Sequence, residues 1–263
     1  MTAFRPVAGL SREQRARVGA LVAGHPVFAL YWDAALDAAA AGDRSRSVLL
    51  EPDGAILGID FDGLSIYTPI GSVSDAALLS LIADPRPLEL HLTPGEADRL
   101  RPACGDRLAL EDGLRFYARL LADLPQPDPA CRRMGPGGLE PLHRFYAEHY
   151  PATVFSAWML DLPFVAIVED GRPVAAGGAI VRAGHRAMIG NFLVDPARRG
   201  EGLAGRVLAG LLTALQAEGV ATALLATNDL NPAACRVYER AGFALIERRV
   251  QLDLRAARYS APC

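Results

Sequence analysis

Residues 191–205, NFLVDPARRGEGLAG, demand one kind of junction: an apolar extended run, a short turn carrying two adjacent arginines, then glycines at 200, 202 and 205 leading into a helix. Glycine takes left-handed φ values without a Cβ penalty, so Gly200 and Gly202 predict a sharp loop at the helix entrance. The helix that follows carries Leu203, Val207, Leu208, Leu211, Leu212 and Leu215 at three- and four-residue spacing, which buries one face. The amides at such a helix start point outward with partial positive charge, and Arg198 and Arg199 add guanidinium donors beside them. The junction therefore reads as a cradle for an anion.

Periodicity organises the rest of the chain. Helices are predicted over 11–22 and 26–41, the first started by the Ser11 and Gln14 capping pair. The period then shortens, and 47–50, 56–61 and 64–68 read as strands joined by turns at 52–54 and 62–63. A helix over 74–82, a strand over 87–92, a helix over 94–100 and a strand over 114–121 follow. The stretch 124–138, LPQPDPACRRMGPGG, reads as a linker in which 131–134 is already the first strand of a second domain. That domain continues with a helix over 139–148, a helical segment over 153–160, a hairpin of 164–168 and 174–181 across Asp170-Gly171, and a strand over 187–194. After the junction helix come a strand over 221–226, a helix begun by Asn231-Pro232 and ended by Gly242, and a closing strand over 243–254. The expected division is 1–123, linker 124–138, a second domain 139–254, and a tail 255–263.

Composition narrows the function classes. A chain of 263 residues at 51% hydrophobic content can bury a substantial core. A net charge of -3, with basic residues clustered only at Arg132-Arg133, Arg198-Arg199 and Arg248-Arg249, argues against nucleic acid as a partner. The chain contains no lysine, so neither Schiff-base chemistry nor a phosphate-loop lysine is available to it. Cys104, Cys131, Cys235 and Cys263 form no close pair or CxxC spacing and read as free thiols rather than disulfides or a metal site. No apolar run approaches ~18 residues and the start lacks an apolar signal, so the expectation is a cytoplasmic protein with no membrane partner.

Residues 200–205 also spell GxGxxG, the dinucleotide-binding fingerprint. That motif requires a tight turn directly after a parallel strand, whereas DPARR intervenes here and Glu218 lies at a helix end rather than a strand tip. A different pairing of motifs accounts for more. Asp195-Pro196, then Arg199, Gly202 and Ala204 in the pattern R-x-x-G-x-A, followed by Asn231, Ala234, Tyr238 and Gly242-Phe243, closely resembles the acyl-CoA-binding half of the GNAT N-acetyltransferase superfamily. The resemblance covers about 132–254. It implies an α/β (α+β) fold, a mixed and mostly antiparallel sheet flanked by helices, beside an N-terminal companion domain that is a separate partner or a degenerate copy.

The resemblance also implies a chemistry: transfer of an acetyl or short acyl group from acetyl-CoA to the amine of a small molecule or peptide, with no metal. The backbone of Phe192, Leu193 and Val194 would bond the pantetheine arm, and Arg198, Arg199, Gly200, Glu201, Gly202, Leu203 and Ala204 would hold the diphosphate. Asn231 and Ala234 would lie near the arm, and Tyr238 would donate a proton to the departing thiolate. The glutamate that family members often carry in the strand before the loop is missing, and Met188 stands in that region. Asn191 can orient an amine but cannot act as a base, which leaves Glu140, His143, Glu148 and His149 around the helix before the hairpin, and His185 in the strand connection, as candidates. An amine of low pKa, or water relaying the proton to solvent, would require none of them; a chain that kept CoA affinity but lost turnover would be a sensory module. Monomer and homodimer are both open.

Overall fold

The computed structural model describes residues 4–61, 64–124, 126–151 and 155–256. The chain forms two compact units, one of Met1–Phe116, Asn228–Leu230 and Glu247–Cys263, the other of Tyr117–Thr227 and Asn231–Ile246. In chain order the elements are β1 (Arg5–Pro6), α1 (Arg12–Val22), α2 (Pro26–Ala40), β2 (Arg46–Glu51), β3 (Asp53–Phe61), β4 (Leu64–Ser72), α3 (Asp75–Ile82), β5 (Leu88–Leu92), α4 (Pro94–Cys104) and β6 (Leu108–Leu120). They continue with β7 (Cys131–Arg133), α5 (Leu139–His149), β8 (Phe164–Glu169), β9 (Arg172–Ala183), β10 (Arg186–Val194), α6 (Leu203–Ala217), β11 (Thr222–Asn228), α7 (Pro232–Arg240) and β12 (Ala244–Leu254).

The predicted punctuation explains many boundaries. Ser11 and Gln14 form a reciprocal capping box at α1, and Ser74 caps α3 through its hydroxyl. The β8–β9 hairpin turns on Asp170 and Gly171, both at positive φ (49° and 77°), as a tight turn compatible with strand twist requires. Of the predicted helical segment 153–160, residues 153 and 154 lie outside the described residues, and Ala157–Asp161 form a 3-10 turn. The predicted turn at 62–63 also lies outside them.

In the second unit, β7, β8, β9 and β10 pair antiparallel in sequence order, and β11 joins β10 in parallel after the α6 crossover. The apolar face of α6 packs on this sheet, with Leu203, Val207, Leu208, Leu211, Leu212 and Leu215 buried in one cluster. Each contributes about 1.5–3 kcal/mol on burial, so truncating Leu211 to alanine would cost about 2–5 kcal/mol. The first unit repeats the succession: β1 to β4 pair antiparallel in order and β4 pairs β5 in parallel across α3.

The division at residue 123 and the closure of the second domain at 254 differ from this architecture. Residues 250–254 of β12 pair antiparallel with β5, placing the end of that strand in the first unit. Tyr117, at the other end of the exchange, is fully buried in the second unit's core, and its hydroxyl donates to Glu239 (2.9 Å). Each unit thus takes a final strand segment from the other half of the sequence, which periodicity alone does not reveal because a strand's pattern does not name its neighbour.

Candidate active site

Two neighbouring parallel strands that stop pairing form the frame of the site. β10 and β11 are in register only over Arg186↔Thr222, Ala187↔Ala223 and Met188↔Leu224, although β10 continues to Val194 and β11 to Asn228. β10 lies between β9 and β11, and among the described residues its register with β11 ends at Met188 while that with β9 runs on to Val194. Phe192, Leu193 and Val194 therefore border β11 with a backbone edge that lacks a ladder partner there, available for a bound chain.

The glycine loop closes the end of β10. Asp195 caps a short turn by accepting from the Ala197 amide (2.8 Å), and Gly200 and Gly202 follow at φ +89° and +76°. Gly202 is the N-cap of α6 and brings no side chain over the amides of Leu203, Ala204 and Gly205. A Cβ added at Gly200, Gly202 or Gly205 would meet nothing within 4 Å, so the space over this helix start is open. Outward-pointing donors at a positive helix terminus with room above them fit a diphosphate.

The two arginines part company. Arg198, expected beside Arg199 as an anion donor, is held by Glu169 (2.6 Å) and Glu201 (2.7 Å), and Glu201 is thereby drawn to the arginine rather than left facing the loop. Hydrogen bonds from Arg198 hold both carboxyls below the usual glutamate range. The i,i+3 spacing of Arg198 and Glu201 brings that pair together locally. Arg199 is exposed and makes no ion pair among the described residues.

Tyr238 is brought to the same place. It is buried on α7, with ring centroids 5.9 Å from Phe192, 6.1 Å from Phe243 and 6.4 Å from Tyr117. Phe192 itself fits because position 177 is glycine; a Cβ there would lie 2.5 Å from the ring. Burial raises the Tyr238 hydroxyl well above the ordinary tyrosine range, so it stays protonated at neutral pH. Asn231 caps α7 by accepting from the Ala234 amide (3.1 Å), and Ala234 is half-buried against the unit's core.

The candidate bases are not gathered there. Glu140 is exposed on α5 and paired with Arg144 one turn on (3.1 Å). His143 is exposed and sets its ring edge against Phe155 (5.3 Å). Met188 is buried between its β9 and β11 partners, Val181 and Leu224. Asn191 sits in the middle of β10 at φ +54°, where the β9 register shifts between Gly190 and Leu193. Its Nδ2 donates to the Met159 sulfur (3.3 Å), and its carbonyl accepts from the Tyr146 hydroxyl (2.5 Å). Sequence reading passed over Tyr146, whose place on the apolar face of α5 marks it only as core. Among the described residues no group of three or more His, Cys, Asp or Glu could hold a metal, and no helix is long and apolar enough to cross a membrane.

The first unit's counterpart is closed. Its parallel pairing also ends after three partners, Ser65↔Leu88, Ile66↔Glu89 and Tyr67↔Leu90. Just beyond, the buried Arg249 guanidinium donates to the carbonyls of Pro69 (2.8 Å) and His91 (3.3 Å), bridging the two strands. It lies over the Phe28 ring (4.8 Å) and pairs with Glu247, and the helix after β4 begins at a serine cap rather than an open glycine. The N-terminal half thus repeats the strand plan without the open loop.

Residues 138–243 match the model of the Acetyltransferase (GNAT) family. No curated protein matches the chain. Among solved structures, the chain is similar to a Drosophila protein (TM-score 0.72, 12% identity, 97% of this chain and 99% of that one). It is also similar to a GCN5-related N-acetyltransferase-like protein from Streptococcus suis (0.65, 17%, 92% and 99%). A third is a GCN5-related N-acetyltransferase from Sphaerobacter thermophilus (0.64, 15%, 95% and 94%). At these identities the structures establish the fold, a mixed α/β arrangement with a mostly antiparallel sheet flanked by helices. The glycine loop and the β10 edge that parts from β11 both fall within the stretch 138–243, so it is this region of the chain that is similar to the GNAT acetyltransferase family.

Proposed function

We propose that the protein transfers an acetyl or short acyl group from acetyl-CoA to the amine of a small molecule or peptide. The observation that carries this reading is the start of α6, where Gly200 and Gly202 at positive φ leave uncapped amides under open space at the end of a half-unpaired strand. A diphosphate suits those amides, with Arg199 at the rim, and an extended pantetheine arm suits the free edge of Phe192–Val194. Acetyl-CoA, when bound, supplies the activated thioester carbonyl. The chain's own part is to orient that carbonyl by backbone donors, exclude water with the Phe192, Tyr238 and Phe243 rings, and protonate the leaving sulfur from the Tyr238 hydroxyl.

A second reading, a CoA-binding sensory module without turnover, is favoured by one observation: Met188 in the strand before the loop is buried and can take no proton, and Glu140 is engaged on an exposed helix face. Calorimetry with acetyl-CoA, joined to a thiol-release screen over small amines and peptide N-termini, separates the two. Binding with acceptor-dependent CoA release supports transfer, and binding without release supports the module. No binding defeats both.

A further inference from the structure

The peptide between Asn191 and Phe192 is held from outside its own strand. Asn191 occupies the left-handed region at a point where β10 slips its register with β9 between Gly190 and Leu193. A non-glycine residue there needs outside support, and Asn tolerates the region better than most. One support is the Nδ2 contact to Met159. Another is Tyr146, whose hydroxyl donates to the Asn191 carbonyl (2.5 Å).

Tyr146 has little freedom to move. It is 2% exposed, its ring stacks on Phe155 at 4.9 Å, and Phe145 and Phe164 meet it edge-on at 5.7 and 6.4 Å. Phe164 is in turn pressed against the sheet at Gly178, where a Cβ would lie 2.0 Å from its ring. Burial keeps the Tyr146 hydroxyl protonated and so a donor.

The described peptide bonds are all trans, and in a trans peptide the C=O and the following N–H point in opposite directions. Fixing the Asn191 carbonyl toward Tyr146 therefore aims the Phe192 N–H away from it. The ring of Phe192 touches Tyr238, so this N–H belongs to the residue that borders the proposed proton donor.

We propose that Tyr146 is a positioning residue for acyl transfer, its hydroxyl locking the Asn191–Phe192 peptide so that the Phe192 N–H is presented to the carbonyl oxygen of a bound acyl thioester. The proposal rests on the acetyl-CoA reading above. Charge grows on that oxygen as an amine attacks, and a donor already aimed there lowers the barrier without reorganising. Tyr146 touches no substrate; it acts through the peptide.

The test is Tyr146→Phe, which removes one oxygen and keeps the ring packing. With acetyl-CoA labelled by carbon-13 at the carbonyl, the wild-type resonance is expected to move downfield on binding and, in Y146F, to return most of the way to the free value with affinity changed less than about twofold. With an acceptor identified, kcat is expected to fall about 10- to 100-fold while KM for acetyl-CoA holds. An unchanged bound resonance and unchanged kcat in folded Y146F overturn the proposal. Should Y146F fail to fold, the Phe192 amide of wild type is followed by nitrogen-15 labelling of phenylalanine. Acetyl-CoA should shift its proton downfield relative to CoA, which lacks the carbonyl, and equal shifts overturn the proposal. A wild type that binds neither ligand overturns the acetyl-CoA reading itself, and the proposal with it.

Discussion

Gly202→Ala and Gly205→Ala should move the protein's stability in opposite directions and its acetyl-CoA affinity in the same direction. Gly202 sits at φ +76°, where a Cβ costs about 1–2 kcal/mol. Gly205 lies within the first turn of α6, where alanine is better than glycine by roughly 0.5–1 kcal/mol. Nothing lies within 4 Å of an added Cβ at either site, so no packing clash enters either sum. At about 2–4 °C per kcal/mol for a chain of this size, G202A lowers Tm by roughly 2–8 °C and G205A raises it by roughly 1–4 °C. A methyl group in the open space above these amides holds a diphosphate away from them. Losing one hydrogen bond to a charged group weakens acetyl-CoA by about tenfold in both variants. Ligand-free melts and calorimetry read the two effects separately. If G205A melts higher and still binds acetyl-CoA as wild type does, the diphosphate does not lie on this loop and the reasoning fails.

Tyr238→Phe should lower kcat about 100-fold or more while acetyl-CoA affinity stays within about twofold; full turnover would return the residue to a packing role. Arg249→Ala should cost about 3–5 kcal/mol in urea unfolding, because it removes a buried cation with its carbonyl and carboxylate bonds and leaves Glu247 with His25. Adding Glu247→Gln should recover part of that loss, and a strictly additive double variant would refute the coupling. Burial alone would raise the Glu247 carboxyl, but His25 and Arg249 outweigh it and hold it below its ordinary range. The stability it lends is complete above about pH 4.3 and disappears as pH falls through the lowered folded value, so the acid limb of the melting curve should flatten in E247Q. Asn231→Ala should cost about 1 kcal/mol by loss of the α7 cap, read as a lower Tm.

The residues of the loop told most of their own story in one dimension, because their roles are local. Positive φ at Gly200 and Gly202, the Asn231-Pro232 start of α7 and the leucine face of α6 are each set by neighbours within about two turns of chain. Roles that depend on a distant partner did not show. Arg198 reads as an anion donor until Glu169 and Glu201 are seen beside it, and Tyr146 reads as core until its hydroxyl is seen on Asn191. The register shift that makes Asn191 special arises from pairing with β9, which no local pattern encodes.

By itself the sequence determined the strand, glycine loop and helix order of the anion cradle, the repeated helix and strand signals of both halves, and the absence of lysine chemistry. Short-range backbone geometry and hydrophobic period decide such things. Only the tertiary structure decided which strands pair. It assigned the end of β12 to β5 and Tyr117 to the second unit's core. It placed Arg249 across β4 and β5 and ended the β10–β11 register at Met188. Two halves with one strand plan therefore differ in local geometry: a buried cation bridges the strands at one divergence, and glycines leave open space at the other.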